Sequence, residues 1–328
     1  MTARLIQNRT ILIAPLDWGL GHATRCVPLV RKLSKHNRMI LGVTETTRFI
    51  FDDEFPDLEK ISLPPYAIRY SKYWPVSVKL LFDAPRIFGI IKNENTQLKQ
   101  IIQKFNIDCI ISDNRFGLYH QDVESIYMTH QLQIQAGLFS RLANVIHEKF
   151  IQNFDKIWVP DFEDSTQALA GNLSRNFQFK NVEYIEPLSR LNRLDDSKDD
   201  FDYLCLLSGP EPLRTQIEEN LILRANATNK RIVFVRGSAK LISIPVNANI
   251  TIINMPNSDE LSRLICSSKT VLCRSGYSTL MDLYALKKKR MVLIPTPGQS
   301  EQLYLAQYWH QKFGAKILFE HQLASFQF

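Results

Sequence analysis

The segment TILIAPLDWGLGHATRCVPLVRKL, Thr10–Leu33, joins three patterns that together indicate one unit of an α/β fold. It opens on a short apolar run typical of a buried strand, and it closes on an amphipathic helical stretch. Between these two, Gly19 and Gly21 allow a tight turn in which the backbone can approach a ligand. The segment therefore predicts a strand, a glycine-containing turn and a helix.

The same alternation of apolar runs with amphipathic stretches continues along the chain. It predicts a parallel sheet with helices on both faces, and it occurs in both halves of the sequence. The fold class we predict is α/β, with two Rossmann-like doubly wound domains facing across a cleft. The predicted strands are 10–15, 39–44, 108–113, 125–130, 156–161, 203–209, 231–237, 250–254, 270–276 and 290–295, and the predicted helices are 96–105, 138–154, 216–227, 258–267, 278–286 and 299–313.

A polar, charged stretch without helical periodicity, SRLNRLDDSKDDFD (189–202), separates the two patterns. We therefore expect a first domain at 1–190, a linker at 191–202 and a second domain at 203–328. Ligands of doubly wound sheets bind at the carboxyl ends of the strands, where the strand order reverses. Polar residues that directly follow predicted strands are accordingly the candidate site residues.

Composition narrows the class of protein. The 328 residues are 45% hydrophobic and carry a formal charge of +7, without a basic tail or an apolar run of spanning length. The dense basic run KKKR (287–290) fits a solvated helix end, and we expect no nucleic-acid partner. The five cysteines have no CxxC spacing, so we expect reduced thiols and a cytoplasmic protein.

The opening turn lacks the third glycine of a dinucleotide-binding fingerprint, because Thr24 stands at that position. His22 would lie in the first helical turn, where the helix dipole disfavours a charged imidazole. A neutral histidine at this position is a candidate general base. The alternative is a histidine that only caps or packs.

Two further strand ends in the first half carry polar side chains. An Asx turn is the alternative to a ligand site at the first, and a helix cap at the second. The candidates are Asp113, Asn114, Arg115, His130 and Gln131.

In the second half, the turn after the strand 203–209 is a weak anion-binding candidate. CRSGYSTLMD (273–282) is stronger, since Ser278 is a predicted helix N-cap and Asp282 could accept hydrogen bonds from a ribose diol. PTPGQSEQ (295–302) forms a sharp turn before a helix, and its acid also fits the ordinary preference of helix starts. The candidates are Ser208, Gly209, Arg236, Arg274, Ser275, Gly276, Asp282, Gln299, Glu301 and Gln302.

We predict no metal site and no cofactor. Asp200 and Asp202 have the D-x-D spacing that binds a metal–nucleotide in some glycosyltransferases, but they precede a strand and read as solvated linker. No group of His and Cys residues has ligand spacing.

Taken in order, these motifs resemble the GT-B glycosyltransferases, in particular the MurG-like family 28 group. The most specific part is residues 273–302, which is similar to the family's S-R-x-G-x-x-T-x-x-E segment and the turn after it. Gly19–Arg25 is similar to the family's G-x-G-H-x-x-R turn. THQLQIQAG (129–137) resembles the HEQN segment, with Gln131 where the family has a glutamate.

The resemblance implies that the second domain binds a nucleotide-diphospho-sugar, with Asp282 at the ribose, Ser208 and Gly209 near the diphosphate, and Glu301 and Gln302 on the sugar. The first domain would hold the acceptor, with His22 as the base and Arg25 facing an anionic group. The nucleotide-sugar is then a co-substrate, and helix N-termini stabilise the leaving diphosphate without a metal.

The function predicted from the resemblance is a hexosyltransferase of the cell envelope that moves a sugar from a UDP-sugar, such as UDP-GlcNAc, to a lipid-linked or glycan acceptor. The alternatives are a nucleotide-sugar hydrolase or epimerase on the same fold, and a non-catalytic nucleotide-sugar-binding protein. Residues 70–88 mix aromatic, basic and leucine side chains, which suits either peripheral contact with the inner membrane or an acceptor-lining loop.

Overall fold

The computed structural model describes residues 6–66, 76–135, 140–175, 178–194, 199–209, 211–237 and 244–328, and describes no side chain from 76 to 82. The chain divides into two compact units, Met1–Ser189 and Arg190–Phe328. Each unit contains its own sheet, in which all neighbouring strands run parallel. The two parallel α/β sheets confirm the predicted fold class.

The first unit has a seven-stranded sheet in the order β3-β2-β1-β4-β5-β6-β7. Strands and helices alternate along most of the unit, as the sequence pattern predicts. The elements are β1 Thr10–Pro15, α1 Gly21–Leu33, β2 Arg38–Val43, α2 Glu45–Glu54, β3 Glu59–Ser62, α3 Val76–Phe105, β4 Cys109–Asp113, β5 Glu124–Met128, α4 Ser140–Ile151, β6 Lys156–Val159 and β7 Val182–Tyr184.

Successive residues of β1 pack into different hydrophobic clusters. Ile11 and Ile13 join the buried side chains of α1, whereas Leu12 and Ala14 pack with residues of α3 such as Leu98. Since alternate residues of a strand face opposite sides of a sheet, both faces of β1 are covered, which is why the run is apolar throughout.

The second unit has a six-stranded sheet in the order β10-β9-β8-β11-β12-β13. Its main core joins α5 to the sheet, and the C-terminal residues Leu323, Phe326 and Phe328 pack into the same core. The elements are β8 Phe201–Leu207, α5 Leu213–Ala225, β9 Ile232–Arg236, β10 Ile250–Asn254, α6 Ser258–Cys266, β11 Ser268–Cys273, α7 Tyr277–Ala285, β12 Met291–Leu293, α8 Ser300–Phe313, β13 Lys316–Ile317 and a 3₁₀ helix at Glu320–Ser325.

The strand order reverses once in each sheet. From β1 the chain moves outward to β2 and β3, then returns to add β4 on the other side of β1. From β8 it moves outward to β9 and β10, then returns to add β11 beside β8. The gaps β1/β4 and β8/β11 are therefore the switch points where doubly wound sheets bind their ligands.

Several predicted boundaries are wrong. Helix α7 begins at Tyr277 with Gly276 as its N-cap, so Ser278 lies inside the helix. No helix opens at His130 within residues 129–135, and the described residues of α4 are Ser140–Ile151.

The segment 70–88 lies outside the described residues as far as Pro75, and its remainder belongs to α3. The exposed Phe88 of α3 stacks on Phe150, with ring centroids 5.8 Å apart. Within the described residues, no helix is both long enough and apolar enough to cross a membrane.

Candidate functional site

The first group of candidate residues lies at the β1/β4 switch point. Pro15, the last residue of β1, pairs with Asp113, the last residue of β4. Gly19 turns the chain with φ +79°, in the left-handed region that favours glycine. Helix α1 then begins at Gly21, and this places His22 in its first turn as predicted.

Asp113 is fully buried and is the common partner of three residues of α1. His22 Nδ1 lies 3.1 Å from its Oδ1. Arg25 donates from Nε to Oδ2 at 2.9 Å and from Nη2 to Oδ1. The Cys26 thiol lies 3.6 Å from Oδ2. The carboxylate thus fixes one face of α1 to the end of β4.

Charge keeps this carboxylate ionised. Burial alone raises the pKa of Asp113, but the charge of Arg25, the proximity of His22 and their hydrogen bonds outweigh burial and lower the pKa below its usual range. Burial raises the pKa of the Cys26 thiol, and the neighbouring Asp113 adds to this effect, so the sulfur is protonated. An ionised Asp113 accepts the proton of His22 Nδ1, which leaves Nε2 of His22 as the basic ring nitrogen.

Arg25 also fixes a second histidine. Its Nη1 lies 2.6 Å from His130 Nδ1. A guanidinium can only donate, so Nδ1 of His130 must accept, and the imidazole of His130 is neutral. Arg25 itself is 2% exposed. Its guanidinium therefore binds Asp113 and His130, and its contact with an anionic acceptor remains a prediction.

The other candidates in this region have structural partners. Gln131 donates its backbone N–H to Thr129 Oγ1 at 3.0 Å. Asn114 has a positive φ of 59°, and its side chain accepts the hydroxyl of Tyr127 at 2.9 Å. The Asn114 side chain thus binds a residue of β5 and does not form the Asx turn considered as the alternative, and its contact with an acceptor remains a prediction.

Arg115 belongs to a second buried cluster, whose hydrogen bonds do not include Asp113 or His22 among the described contacts. It is fully buried and donates from Nε to Glu94 Oε1 at 2.5 Å and from Nη2 to Pro64 O at 2.6 Å. Glu94 in turn accepts the hydroxyl of Tyr66 at 2.9 Å and the N–H of Gly117 at 3.1 Å. Arg115, predicted as an acceptor-binding residue, thus forms an internal ion pair that ties α3 to the loop after β4.

The second group of candidate residues lies at the β8/β11 switch point. Ser208 and Gly209 are exposed in the turn after β8, and Gly209 has φ +111°. Arg274, directly after β11, is 3% exposed and turns its Nε toward Gly209, where a Cβ would lie 3.8 Å from that nitrogen. Its Nη1 lies 3.3 Å from the carbonyl oxygens of Ile294 and Pro295.

The described residues leave part of the hydrogen-bonding capacity of Arg274 unused. Among the described residues, Nε and Nη2 of Arg274 have no hydrogen-bond partner. Nη2 lies 2.7 Å from Glu320 Oε1, as an ion pair without hydrogen-bond alignment. Because a buried guanidinium needs partners for its N–H groups, this turn suits an anionic ligand.

Neighbouring candidates shape the same edge of the sheet. The Ser275 hydroxyl donates to the carbonyl of Gln302 at 2.7 Å. The side-chain oxygen of Gln302 accepts from the N–H and hydroxyl of Thr296, and its amide donates to Gln299 Oε1 at 2.6 Å. Gly276 N-caps α7, while Asp282 of α7 and Glu301 of α8 are half-buried.

Arg236, the last residue of β9, has a different environment from the one predicted. It is 2% exposed, donates to both carboxylate oxygens of Glu218 on α5, and lies 3.1 Å from Asn254 Oδ1. Arg214 binds the same glutamate at 3.2 Å. The contact of Arg236 with a nucleotide-sugar therefore remains a prediction. The sequence pattern did not predict the internal hydrogen bonds that Arg236 makes with Glu218 and Asn254.

Asp202 accepts the backbone N–H of Arg231 at 3.0 Å and the ammonium of Lys269 at 2.8 Å. This D-x-D carboxylate therefore has structural partners. Within the described ranges, no three His, Cys, Asp or Glu residues are grouped as metal ligands would be.

Comparison with known proteins finds a family match in the second unit. Residues 209–327 match the glycosyltransferase family 28 C-terminal domain. No curated protein sequence matches the chain. The family match includes Arg274, Asp282 and the turn that contains Gln302.

Solved structures resemble almost the whole chain. Spinosyn rhamnosyltransferase SpnG in complex with thymidine diphosphate has a TM-score of 0.65 at 13% identity, over 97% of this chain and 88% of that one. MurG of Acinetobacter baumannii has a TM-score of 0.55 at 10% identity, over 97% and 89%. Arabidopsis thaliana UGT89C1 in complex with UDP-L-rhamnose has a TM-score of 0.64 at 12% identity, over 98% and 89%. The chain therefore has the fold of the GT-B glycosyltransferases, and residues 209–327 of its second unit are similar to the family 28 C-terminal domain.

Proposed function

We propose that the protein is a nucleotide-sugar-dependent glycosyltransferase in which His22 deprotonates the acceptor and the second unit binds the donor. The observation that carries this proposal is the contact between His22 Nδ1 and the buried Asp113 at 3.1 Å. A base held in one tautomer by an ionised carboxylate is an arrangement for proton transfer, which a protein that only binds a ligand does not need.

In the proposed reaction, Nε2 of His22 takes the proton of an acceptor hydroxyl. The acceptor oxygen forms a bond to the anomeric carbon while the bond from that carbon to the diphosphate oxygen breaks. Asp113 stabilises the imidazolium that forms and keeps its ring oriented, as buried carboxylates do in hydrolytic triads. The negative charge that develops on the leaving diphosphate is stabilised by the guanidinium of Arg274 and the turn at Gly209.

The donor half rests on the family match and on the buried Arg274 beside Gly209. Asp282 is proposed at the ribose, and Glu301 with Gln302 at the sugar hydroxyls. The SpnG structure contains thymidine diphosphate, and the UGT89C1 structure contains UDP-L-rhamnose. Donors with uracil and donors with thymine are therefore both worth testing. We propose a UDP-hexose, such as UDP-GlcNAc, as the donor and a lipid-linked or glycan hydroxyl as the acceptor.

Thermal shift with a panel of UDP- and TDP-sugars tests the donor half, since a ligand that binds the folded state raises its melting temperature. We expect at least one UDP-sugar to raise it and Asp282→Ala to reduce the shift. A chain that binds none of the panel contradicts the proposal.

Nucleotide release then tests catalysis. The donor that binds is incubated with and without lipid-linked and soluble glycan acceptors. Rapid stoichiometric release without any acceptor would identify a hydrolase instead. With an acceptor, His22→Ala should lower the rate by on the order of 100- to 10,000-fold, with donor binding retained. The exposed His36 supplies the control variant His36→Ala, which should retain full activity.

A further inference from the structure

Glu320 is the acidic side chain that meets Arg274 in the described part of the second unit. Its Oε1 lies 2.7 Å from Nη2 of Arg274. The arginine side chain is 3% exposed and that of Glu320 is 21% exposed. The arginine of the pair is thus buried, whereas the glutamate is partly accessible to solvent.

The pair leaves part of both groups unsatisfied. Nε and Nη2 of Arg274 and Oε1 of Glu320 have no hydrogen-bond partner among the described residues. A carboxylate seated squarely on a guanidinium makes two parallel N–H···O bonds. Glu320 supplies charge without those bonds, and Nε still points toward the turn at Gly209.

The backbone that carries Glu320 is anchored in the core, whereas its side chain is 21% exposed and pairs with Arg274 without hydrogen-bond alignment. Leu323, three residues further along the same 3₁₀ helix, is 3% exposed in the core formed with α5. The Gln322 side-chain oxygen accepts the N–H of Phe319 at 2.9 Å and fixes the start of that helix. The carboxylate can therefore rotate into solvent while the helix stays docked.

We propose that Glu320 is an internal counter-anion of the nucleotide-diphosphate site, which neutralises Arg274 in the empty protein and is displaced by the diphosphate of the ligand. This inference rests on the proposed function of the second unit. A diphosphate carries more charge than one carboxylate and offers oxygens to both Nε and Nη2. It would satisfy the nitrogens that Glu320 leaves without a hydrogen bond. Glu320 therefore lowers the affinity of the site for its ligand.

The buried charge of Arg274 explains why a carboxylate beside it stabilises the ligand-free protein. Burial lowers the pKa of Arg274, and the charge of Glu320 opposes that effect. Without an anion nearby, the folded protein would hold an uncompensated buried cation whenever the site is empty. Glu320 thus stabilises the ligand-free protein and competes with the ligand. Removing its carboxylate should therefore lower the melting temperature of the ligand-free protein and raise its affinity for the ligand.

Calorimetric titration of UDP and of TDP into wild type and Glu320→Gln tests the proposal. If nine chains in ten hold the Arg274–Glu320 pair, removing the carboxylate raises affinity on the order of tenfold. In the absence of ligand, the same variant should melt about 2–6 °C lower. A merely structural role would lower stability and leave affinity unchanged or lower.

Asp259→Asn is the charge-matched control, because Asp259 is an exposed acid in the first turn of α6. It should change UDP affinity less than twofold. In a chain that already carries Arg274→Gln, adding Glu320→Gln should no longer raise the affinity, because the cation that the carboxylate neutralises is gone.

The outcomes separate the two proposals. If wild type binds UDP or TDP and Glu320→Gln binds no tighter than Asp259→Asn, the role of Glu320 is wrong and the proposed function stands. If neither nucleotide binds wild type or Glu320→Gln, the proposed function of the second unit fails, and the inference about Glu320 fails with it.

Discussion

Arg25 and Asp113 form a buried ion pair in which Nε of the arginine donates to Oδ2 at 2.9 Å, with 2% and 0% of the two residues exposed. Asp113 of this pair also contacts His22, and the pair links α1 to the end of β4. Its burial has a consequence for stability that does not depend on any ligand.

Replacing Asp113 by Asn leaves the guanidinium of Arg25 buried without a counter-charge. We expect the free energy of unfolding to fall by about 3–5 kcal/mol, as when one partner of a buried ion pair is removed. Urea denaturation measures the loss. Asp122→Asn is the control, because the side chain of Asp122 is 73% exposed, and it should stay within about 0.5 kcal/mol of wild type. A loss below about 1 kcal/mol for Asp113→Asn would contradict the prediction.

His147 of α4 makes stability depend on pH. Burial lowers its pKa from 6.5 to about 4, and Nδ1 has no hydrogen-bond partner in the described structure. The unfolded chain binds a proton more readily than the folded one between these values. The neutral His147 therefore leaves the free energy of unfolding at its full value above pH 6.5. That free energy falls as the pH falls toward 4, by on the order of 3 kcal/mol.

His147→Phe should flatten this part of the pH profile, since Phe keeps the ring that packs against Phe116. Denaturation at a series of pH values between about 4 and about 7 measures the difference. The exposed His36 gives the control His36→Gln, which should keep the wild-type slope. An unchanged slope in His147→Phe would refute the assignment to His147.

Gly117 has no room for a side chain. A Cβ at this position would lie 2.6 Å from Glu94 Oε2 and 2.6 Å from Ile91 O. Because one of these atoms is backbone, Gly117→Ala should lower stability by about 1–3 kcal/mol. Gly89 of α3 is the matched control, as a Cβ there meets nothing within 4 Å, and Gly89→Ala should raise stability by up to about 1 kcal/mol. Equal effects of the two variants in thermal unfolding would disagree with the structure.

Gly209→Ala tests the turn beside Arg274. Gly209 has φ +111°, so a Cβ strains the turn in any environment. We expect UDP affinity to fall at least fivefold. Gly314 at the end of α8 also has a positive φ, of 68°, and Gly314→Ala should lower stability without changing affinity. Titration calorimetry on both variants makes the comparison, and equal affinities would show that Gly209 does not contact the ligand.

The sheet cores were predictable because strands buried on both faces read as continuous apolar runs. TILIAP coincides with β1, and the predicted strand 231–237 contains β9, whose five residues are all buried. The edge strands β3, β7 and β13 were not predicted, since Glu59–Ser62, for example, is short and half-exposed. Helix α2 was missed as well, although Thr44 and Thr47 form its capping box.

The sequence predicted where candidate side chains lie along the fold, but it did not predict the distant residues that contact them. The location of His22 in the first turn of a helix follows from the glycine turn before it. The partner of Arg115 does not, because Glu94 lies 21 residues away in the middle of an amphipathic helix. Asp113 and Arg115 are two residues apart and were candidates for the same binding site. In the structure they belong to different buried clusters.

The last two residues of β4 carry interactions on opposite faces of one sheet. Asp113 holds α1, while the neighbouring Ser112 donates to the carbonyl of Arg115 on the other side. Arg115 also donates from Nη1 to the carbonyl of Pro15 at 3.4 Å, at the end of β1. We therefore expect a substitution of Arg115 to disturb the chain that leads into the turn before α1.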